Sequence, residues 1–483
     1  MSTLQKLFKQ TFIYGLATVL PRMLSFLLVP LYTQVLPKEE YGEISVIFAY
    51  FVLFNVILAY GMETAFFRFY NKKENSEEVL STAGWSLVTS SLLFFAGAFL
   101  AQSWIAGITG IPLEYIKLVI WILLLDALVI IPFAWLRATE RPVKYAIIKI
   151  LNVAINLGLN VFFLLLLKDW SKEFRFLQPL YVPGFEINYV FIANLIASGV
   201  TLMLMFPFYL RIKAIFNTDL WKSMMRYALP VLVAGIAFSI NEVFDRIMLD
   251  YLLPQSIAKA EIGAYAACYK LALFMTLFAT AFRLGIEPFF FSHAGAKNAR
   301  ETYALITKYF VVFGCLILVG VIVFIDLLKV ILIQNETYWD AMHIVPIILI
   351  ANLFLGIYHN LSVWYKITDR TKMGGYISVV GAGITIILNI VLIPMISYMG
   401  SAIATLAAYG SMMLLSYLIG RKYYPIPYNV KKISFYLLLS LGISLISFVF
   451  FRGNYIAGVF FIGLFLLVIY FNEQKEIKQI LKQ

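Results

Sequence analysis

The sequence predicts an all-α integral membrane protein of about 14 transmembrane helices. They form two parallel-repeat six-helix lobes plus two C-terminal helices, with both termini in the cytoplasm. Three observations predict this: the chain is too apolar for water, apolar runs of membrane-spanning length recur along it, and short motifs appear twice. Of 483 residues, 62% are hydrophobic and 13% charged, where soluble domains run near 45–50% and 25%. Mean hydropathy is +0.87. Runs of about 20 apolar residues, each enough for roughly 30 Å of hydrocarbon, recur from the first at about 11–35 to a last pair at about 433–471.

The charge distribution sets the expected orientation. The formal net charge is +12, which invites a nucleic-acid reading. The cations are instead gathered in alternate loops, for example at Arg137, Arg141, Lys144, Lys366, Arg370 and Lys372. That asymmetry is the positive-inside pattern, so the excess reports topology and no nucleic-acid partner is expected. The first span carries Arg22 near its middle and lacks a small-x-small site, so it reads as a helix and not as a cleaved signal peptide. Two cysteines and three histidines are scattered, which predicts neither a disulfide framework nor a metal site.

The repeat sets the domain plan. Gly61-x-Glu63-x-x-Phe66-Phe67 returns as Gly285-x-Glu287-x-x-Phe290-Phe291. Thr139-Glu140-Arg141 returns as Thr368-Asp369-Arg370, with Arg137 matched by Lys366 and Asn160 by Asn389. The expected divisions are a lobe at 1–215, a lobe at 222–424, an extra helix pair at 433–471 and a cytoplasmic tail at 472–483. An even number of spans per lobe keeps both lobes in one orientation, and such duplication points to transport by two lobes rocking about a central site. The longest outer loop, from Lys168 to about Ile187, contains the turn pair Pro183-Gly184 and reads as a hairpin, an interfacial segment or a passive cap.

Charged and polar residues inside spans mark the candidate site, since a charge at mid-bilayer costs at least about 2.5–3.5 kcal/mol. On the eighth span Tyr265, Tyr269, Thr276, Thr280, Arg283 and Glu287 fall within about a 60° arc at 100° per residue. That stripe is expected to face a central hydrated cavity with Arg22, Arg246, Lys270 and Asn241. Arginine keeps its charge and offers a fork matched to phosphate. Internal pairing competes with this reading: Arg283 with Glu287 at i, i+4, and Asp245 with Lys270. Glu63 and Glu287, with the basic turns on the same side, are expected to form ion pairs between lobes that close an inner gate. Asp126, Glu242, Asp245 and His359 have no repeat counterpart and are candidates for ion coupling or specificity. Asn152, Asn156 and Asn160 line the fifth span as helix–helix glue or cavity wall.

Several motifs together resemble a known family. Leu36-Pro37-x-x-x-Tyr41-Gly42 leads to Gly61-x-Glu63, Asp245-Arg246-Ile247-Met248-Leu249 ends the seventh span, and Glu261-Ile262-Gly263-Ala264-Tyr265 opens the eighth. In that order they resemble the polysaccharide transporters, best known as O-antigen (Wzx-type) flippases, of the multidrug/oligosaccharidyl-lipid/polysaccharide exporter superfamily. The resemblance covers nearly the whole chain. It implies a multi-pass protein of the bacterial inner membrane that moves a polyprenyl-diphosphate-linked oligosaccharide between leaflets by alternating access. Partners implied are that lipid-linked sugar, membrane lipids and polysaccharide polymerase machinery, in the service of O-antigen, lipopolysaccharide or capsule. No cofactor is expected beyond coupling to H⁺ or Na⁺ through Asp126, Asp245 or Glu242.

The lipid II flippases share the plan and stand as the alternative. A multidrug exporter fits less well, because those usually have twelve spans. A membrane polymerase or ligase would need an outer loop rich in Arg, His or acids. No P-loop glycine motif is present, so ATP-driven pumping is not expected.

Overall fold

The computed structural model describes residues 26–72 and 76–480, with short pieces at 19–20 and 23–24. Most of the expected first span, including Arg22, lies outside the described residues. Among the described residues thirteen helices are long and apolar enough to cross a membrane. They coincide with the second to fourteenth spans expected from hydropathy. No β-strand occurs among the described residues.

The chain divides into two compact units, residues 1–263 and 264–483. In the first, the helices are α1 (Leu28–Val35), α2 (Lys38–Ala59), α3 (Met62–Tyr70), α4 (Ser76–Leu100), α5 (Gln102–Thr109) and α6 (Leu113–Leu128). They continue with α7 (Ile130–Ala138), α8 (Pro142–Val161), α9 (Leu167–Glu173), α10 (Glu186–Tyr209) and α11 (Thr218–Leu252). Helix α12 (Gln255–Leu271) runs across the division. The second unit holds α13 (Leu273–Ser292), α14 (Ala299–Val323), α15 (Ile325–Leu332), α16 (Val345–Leu361), α17 (Val363–Ile367), α18 (Lys372–Ile396), α19 (Tyr398–Tyr423), α20 (Val430–Phe450) and α21 (Tyr455–Ile480). The seventh span, α11, packs on α2 and α3 within the first unit. The compact units therefore divide the chain later than the lobe limits read from the repeat, because side-chain packing follows neighbours in space and not sequence ancestry.

Breaks in the spans have identifiable causes. The second span stops at Tyr60 and Gly61, both left-handed at φ 33° and 73°, and resumes as α3. Gly61 also lies close to another backbone, since a Cβ there would come within 2.3 Å of the Ala228 carbonyl oxygen. Its repeat partner Gly285 sits inside α13 with open space around it. The eighth span breaks at Ala272, whose N–H reaches back only three residues to Tyr269. Its carbonyl accepts Nδ2 of Asn352 at 3.5 Å, the kind of side-chain insertion that kinks a helix. Near the start of α2, Gly42 crosses Gly263 of α12, and a Cβ on either would come within 1.9 Å of a carbonyl oxygen, Lys259 or Lys38 respectively.

Buried polar groups tie helices together. Asn160 is fully buried, accepts the Tyr32 hydroxyl at 2.9 Å and donates to Asn156. Asn389 donates to Thr385 and accepts from Ser401 at 2.7 Å. Both repeat-related asparagines thus act as glue. The last two helices are fixed to α14 and α15 at both ends. At one end buried Lys308 meets Glu473 at 2.6 Å and also Glu476, while Glu473 accepts from Lys432 and Tyr436. At the other, Asp326 accepts from Lys329 at 2.7 Å and Arg452 at 3.2 Å. Burial pushes the Asp326 carboxyl up, but these two cations outweigh it and hold it below the usual carboxylate range.

The two repeat-related glycines should respond oppositely to alanine. Gly61→Ala forces a left-handed backbone and a steric contact, and should cost about 1–3 kcal/mol. Gly285→Ala should be neutral or stabilising by up to about 1 kcal/mol. Thermal unfolding of the purified protein in detergent checks this; equal melting temperatures would contradict the backbone geometry described.

Candidate functional site

Helices α7 and α17 end in the same way. In the first unit the Thr139 N–H and hydroxyl both bond the Trp135 carbonyl, at 2.9 and 2.8 Å. The Arg141 N–H returns to Leu136 at 2.9 Å across Glu140, which is left-handed at φ 52°. In the second unit Thr368 bonds Trp364 in the same two ways, and the Arg370 N–H reaches Tyr365 at 2.8 Å across Asp369 at φ 56°. This six-to-one closure over a left-handed residue is a Schellman cap, with an acidic residue where glycine is usual.

Each cap places a cation one turn back. Arg137 meets Glu63 at 2.9 Å in the first unit, and Lys366 meets Glu287 at 2.7 Å in the second. The repeated motifs, far apart in sequence, are therefore the two halves of one clasp, built once per unit. This corrects two expectations. The described ion pairs of Glu63 and Glu287 each lie within a unit, and Glu287 takes Lys366 where Arg283 was one expected partner. An i, i+4 partner is only one option for a carboxylate that a neighbouring helix can also reach.

Sequence reasoning missed the tryptophans at the base of the clasps. Trp135 lies under the guanidinium groups of Arg141 and Arg211, 5.0 and 5.3 Å from the ring centre. Trp364 donates to the Ser416 carbonyl at 3.1 Å and stacks on Tyr423, which carries Arg370 at 4.2 Å. The signal was legible: the duplicated motif extends back to Trp-x-Arg/Lys-x-Thr-Glu/Asp-Arg.

The second unit contains a small recess of about 10 Å³, room for about one water, beside its clasp, with Arg283, Glu287, His359, Asn360, Ser362 and Lys366 among its lining residues. Arg283 Nη1 approaches His359 Nε2 at 3.5 Å. Asn360 donates through Nδ2 to the Gly356 carbonyl at 3.0 Å, which fixes its amide. Its buried Oδ1 has no hydrogen-bond partner among the described residues. Two cations, one carboxylate and an amide acceptor thus converge where a phosphorylated or polyhydroxyl ligand could exchange water contacts for protein ones. Three of the expected site residues meet here, Arg283, Glu287 and His359, joined by Lys366 of the second basic turn.

The other expected residues are placed elsewhere. The break at Ala272 divides the stripe on the eighth span. Tyr265 is fully buried against Tyr269 and Tyr398, at 5.8 and 6.4 Å between ring centres, so the expectation that it lines a hydrated cavity is corrected. Thr280 is buried, Thr276 half-buried, and Lys270 half-buried near the end of α12. In the first unit Arg246 Nη1 pairs with buried Asp245 at 2.9 Å and also donates to the Glu242 carbonyl. Asn241 bonds back to Ala237 in its own helix, and the Glu242 side chain is exposed. Asp126, read from sequence as solitary, accepts the Ser198 hydroxyl at 2.7 Å. Asn152 donates to Thr201. Among the described residues no cluster could hold a metal ion.

Residues 7–282, more than half of the chain, match the family described as polysaccharide biosynthesis protein. Residues 230–391 match the MatE family. No curated relative matches the sequence. Among solved structures, "Lipid II flippase MurJ, inward closed conformation" is similar at TM-score 0.77 and 17% identity, covering 96% of this chain and 100% of that one. The MATE multidrug transporter DinF-BH gives TM-score 0.60 at 15% identity, covering 88% and 97%. A MOP superfamily transporter from Pyrococcus furiosus gives 0.56 at 13%, covering 89% and 95%. At these identities the likeness is one of fold. The chain belongs to the polysaccharide biosynthesis protein family, within the multidrug/oligosaccharidyl-lipid/polysaccharide exporter superfamily.

Proposed function

We propose that the protein is a flippase, without covalent chemistry, for polyprenyl-diphosphate-linked oligosaccharide repeat units. It carries them from the inner to the outer leaflet of a bacterial cytoplasmic membrane by alternating access. The observation that carries this reading is the recess of the second unit, where Arg283 and Lys366 flank Asn360 and His359. The recess as it stands holds about one water, so a diphosphate would reach Arg283, and Lys366 in exchange for Glu287, only once the unit opens, with the first sugar supplying hydroxyl donors to the amide. Family membership favours a saccharide over a drug. Arg22 and Arg246 are assigned to the same task in the first lobe, and Asp126 to ion coupling through its contact with Ser198.

A second reading, transport of the peptidoglycan precursor, is favoured by the likeness in fold to a lipid II flippase. Deletion in the native host separates the two. Loss of a surface polysaccharide with normal growth supports the first reading. Lysis, with lipid II held in the inner leaflet, supports the second.

The clasps should matter for turnover more than for stability. Both pairs are partly exposed, at 38%/41% and 26%/35% of their side-chain surfaces, and such pairs contribute about 0–1 kcal/mol. Glu287→Ala or Lys366→Ala should leave insertion and melting nearly unchanged but lower polysaccharide export, and the swap Glu287→Lys with Lys366→Glu should restore part of it. Export equal to wild type in both single variants would remove the clasp from the mechanism.

Arg283→Ala should abolish export at normal protein level, as should Arg22→Ala. Arg246→Ala is a poorer probe, because it also removes the guanidinium paired with the buried Asp245 carboxylate at 2.9 Å. Pairing it with Asp245→Asn isolates the charge. Surface polysaccharide on gels, with membrane abundance by immunoblot, reads all of these; unchanged export in both the Arg283 and Arg22 variants contradicts a cationic binding site.

A further inference from the structure

Helix α8 starts at Pro142, directly after the first basic turn, and helical structure continues through a π-turn (Phe162–Leu166) and α9 to Glu173. That is 32 residues, or about 48 Å at 1.5 Å per residue, against about 30 Å of hydrocarbon. The far end must stand beyond the hydrocarbon, on the membrane face opposite the Thr139–Arg141 turn. A segment emerging into water should lose its large apolar side chains there, and this one keeps them among its charges. Trp170, Phe174, Phe176 and Leu180 are 43%, 46%, 74% and 51% exposed. Lys168, Asp169, Lys172, Glu173 and Arg175 are exposed among them, with Lys172 paired to Asp169 at 2.9 Å.

The segment is a built platform. The Tyr189 hydroxyl donates to the Leu180 carbonyl at 2.6 Å and accepts the Val182 N–H at 2.7 Å. Its ring stacks on Phe163 at 5.1 Å between centres. Leu167, Leu177 and Tyr189 are buried beneath Phe162, Phe163 and Phe185. Of the three outcomes open from sequence, a hairpin, an interfacial segment and a passive cap, the hairpin gives way to a short helix and a 3₁₀ turn (Gln178–Leu180) over their own small core.

We propose that residues 162–189 form a foot seated in the lipid headgroup layer of the membrane face opposite the basic turns. Two features choose lipid over a protein partner. The apolar surface is continuous with the lipid-facing flank of α8, where Ile147, Leu151 and Leu165 are exposed and only 11% of the most apolar window is buried. Aromatic rings interleaved with lysine and arginine also match the boundary, where rings sit at headgroup level and long cations reach phosphates. The proposal stands independently of the substrate.

The test places a nitroxide on Phe176→Cys, and separately on Phe174→Cys, in the full-length protein reconstituted in phosphatidylethanolamine/phosphatidylglycerol nanodiscs. Native Cys268 and Cys315 are buried and should stay unlabelled, which the unsubstituted protein verifies. A foot in the headgroup layer predicts more frequent collision with lipid-soluble oxygen than with a water-soluble nickel chelate at both positions. Nickel-dominated collision would place the segment in water and overturn the proposal. Protection from both reagents would mean a protein or a second copy covers it, and would overturn the choice of lipid.

Discussion

Hydrocarbon offers a polar side chain no hydrogen bond, so each such group within a span must be satisfied by the protein or by water the protein encloses. The fold can be followed from that constraint. Asn160 and Asn389, fully buried, each draw a hydroxyl from elsewhere in their unit, Tyr32 and Ser401. Asp126 draws Ser198 from α10, and Asp245 draws Arg246. Apolar surface between helices gives little preference for one partner over another inside lipid, whose tails are equally apolar. The polar contacts therefore fix which helices meet and in which register.

The same constraint explains how the helix pair outside the duplication is attached. Lys308 lies fully inside the protein, and an isolated ammonium there would be strongly disfavoured. Glu473 and Glu476 of α21 form its counter-charge, and Lys432 and Tyr436 of α20 complete the network by donating to Glu473. At the other end Arg452, in the turn between α20 and α21, closes on Asp326. Two ion networks, at the two ends of α14 and α15, hold a pair of helices that also pack on α14.

The clasps show backbone geometry setting electrostatics. A left-handed residue at Glu140 or Asp369 reverses the chain, the threonine before it bonds the tryptophan carbonyl, and the intervening arginine or lysine is carried to a glutamate on another helix. Because the construction occurs in both units, whatever strain or mobility it confers is conferred twice. In the second unit a small recess adjoins the clasp.

Local signals in the chain were enough to establish the membrane class, the approximate limits of thirteen spans, the repeated motifs and three titratable residues of the recess. Apolar runs of fixed length, Gly61-x-Glu63 and Thr139–Arg141 with their copies, and the isolated charges Arg283, Glu287 and His359 are all signals of that kind. Partner choice was not local. Helical phase placed Tyr265 on a wet stripe, but the helix breaks at Ala272 and Tyr265 lies in the core. Spacing offered Arg283 to Glu287, yet Lys366 is the residue that meets it. A carboxylate pairs with whichever cation three-dimensional packing brings within reach, and that choice rests on helix crossings such as Gly42 against Gly263, which one-dimensional periodicity does not encode.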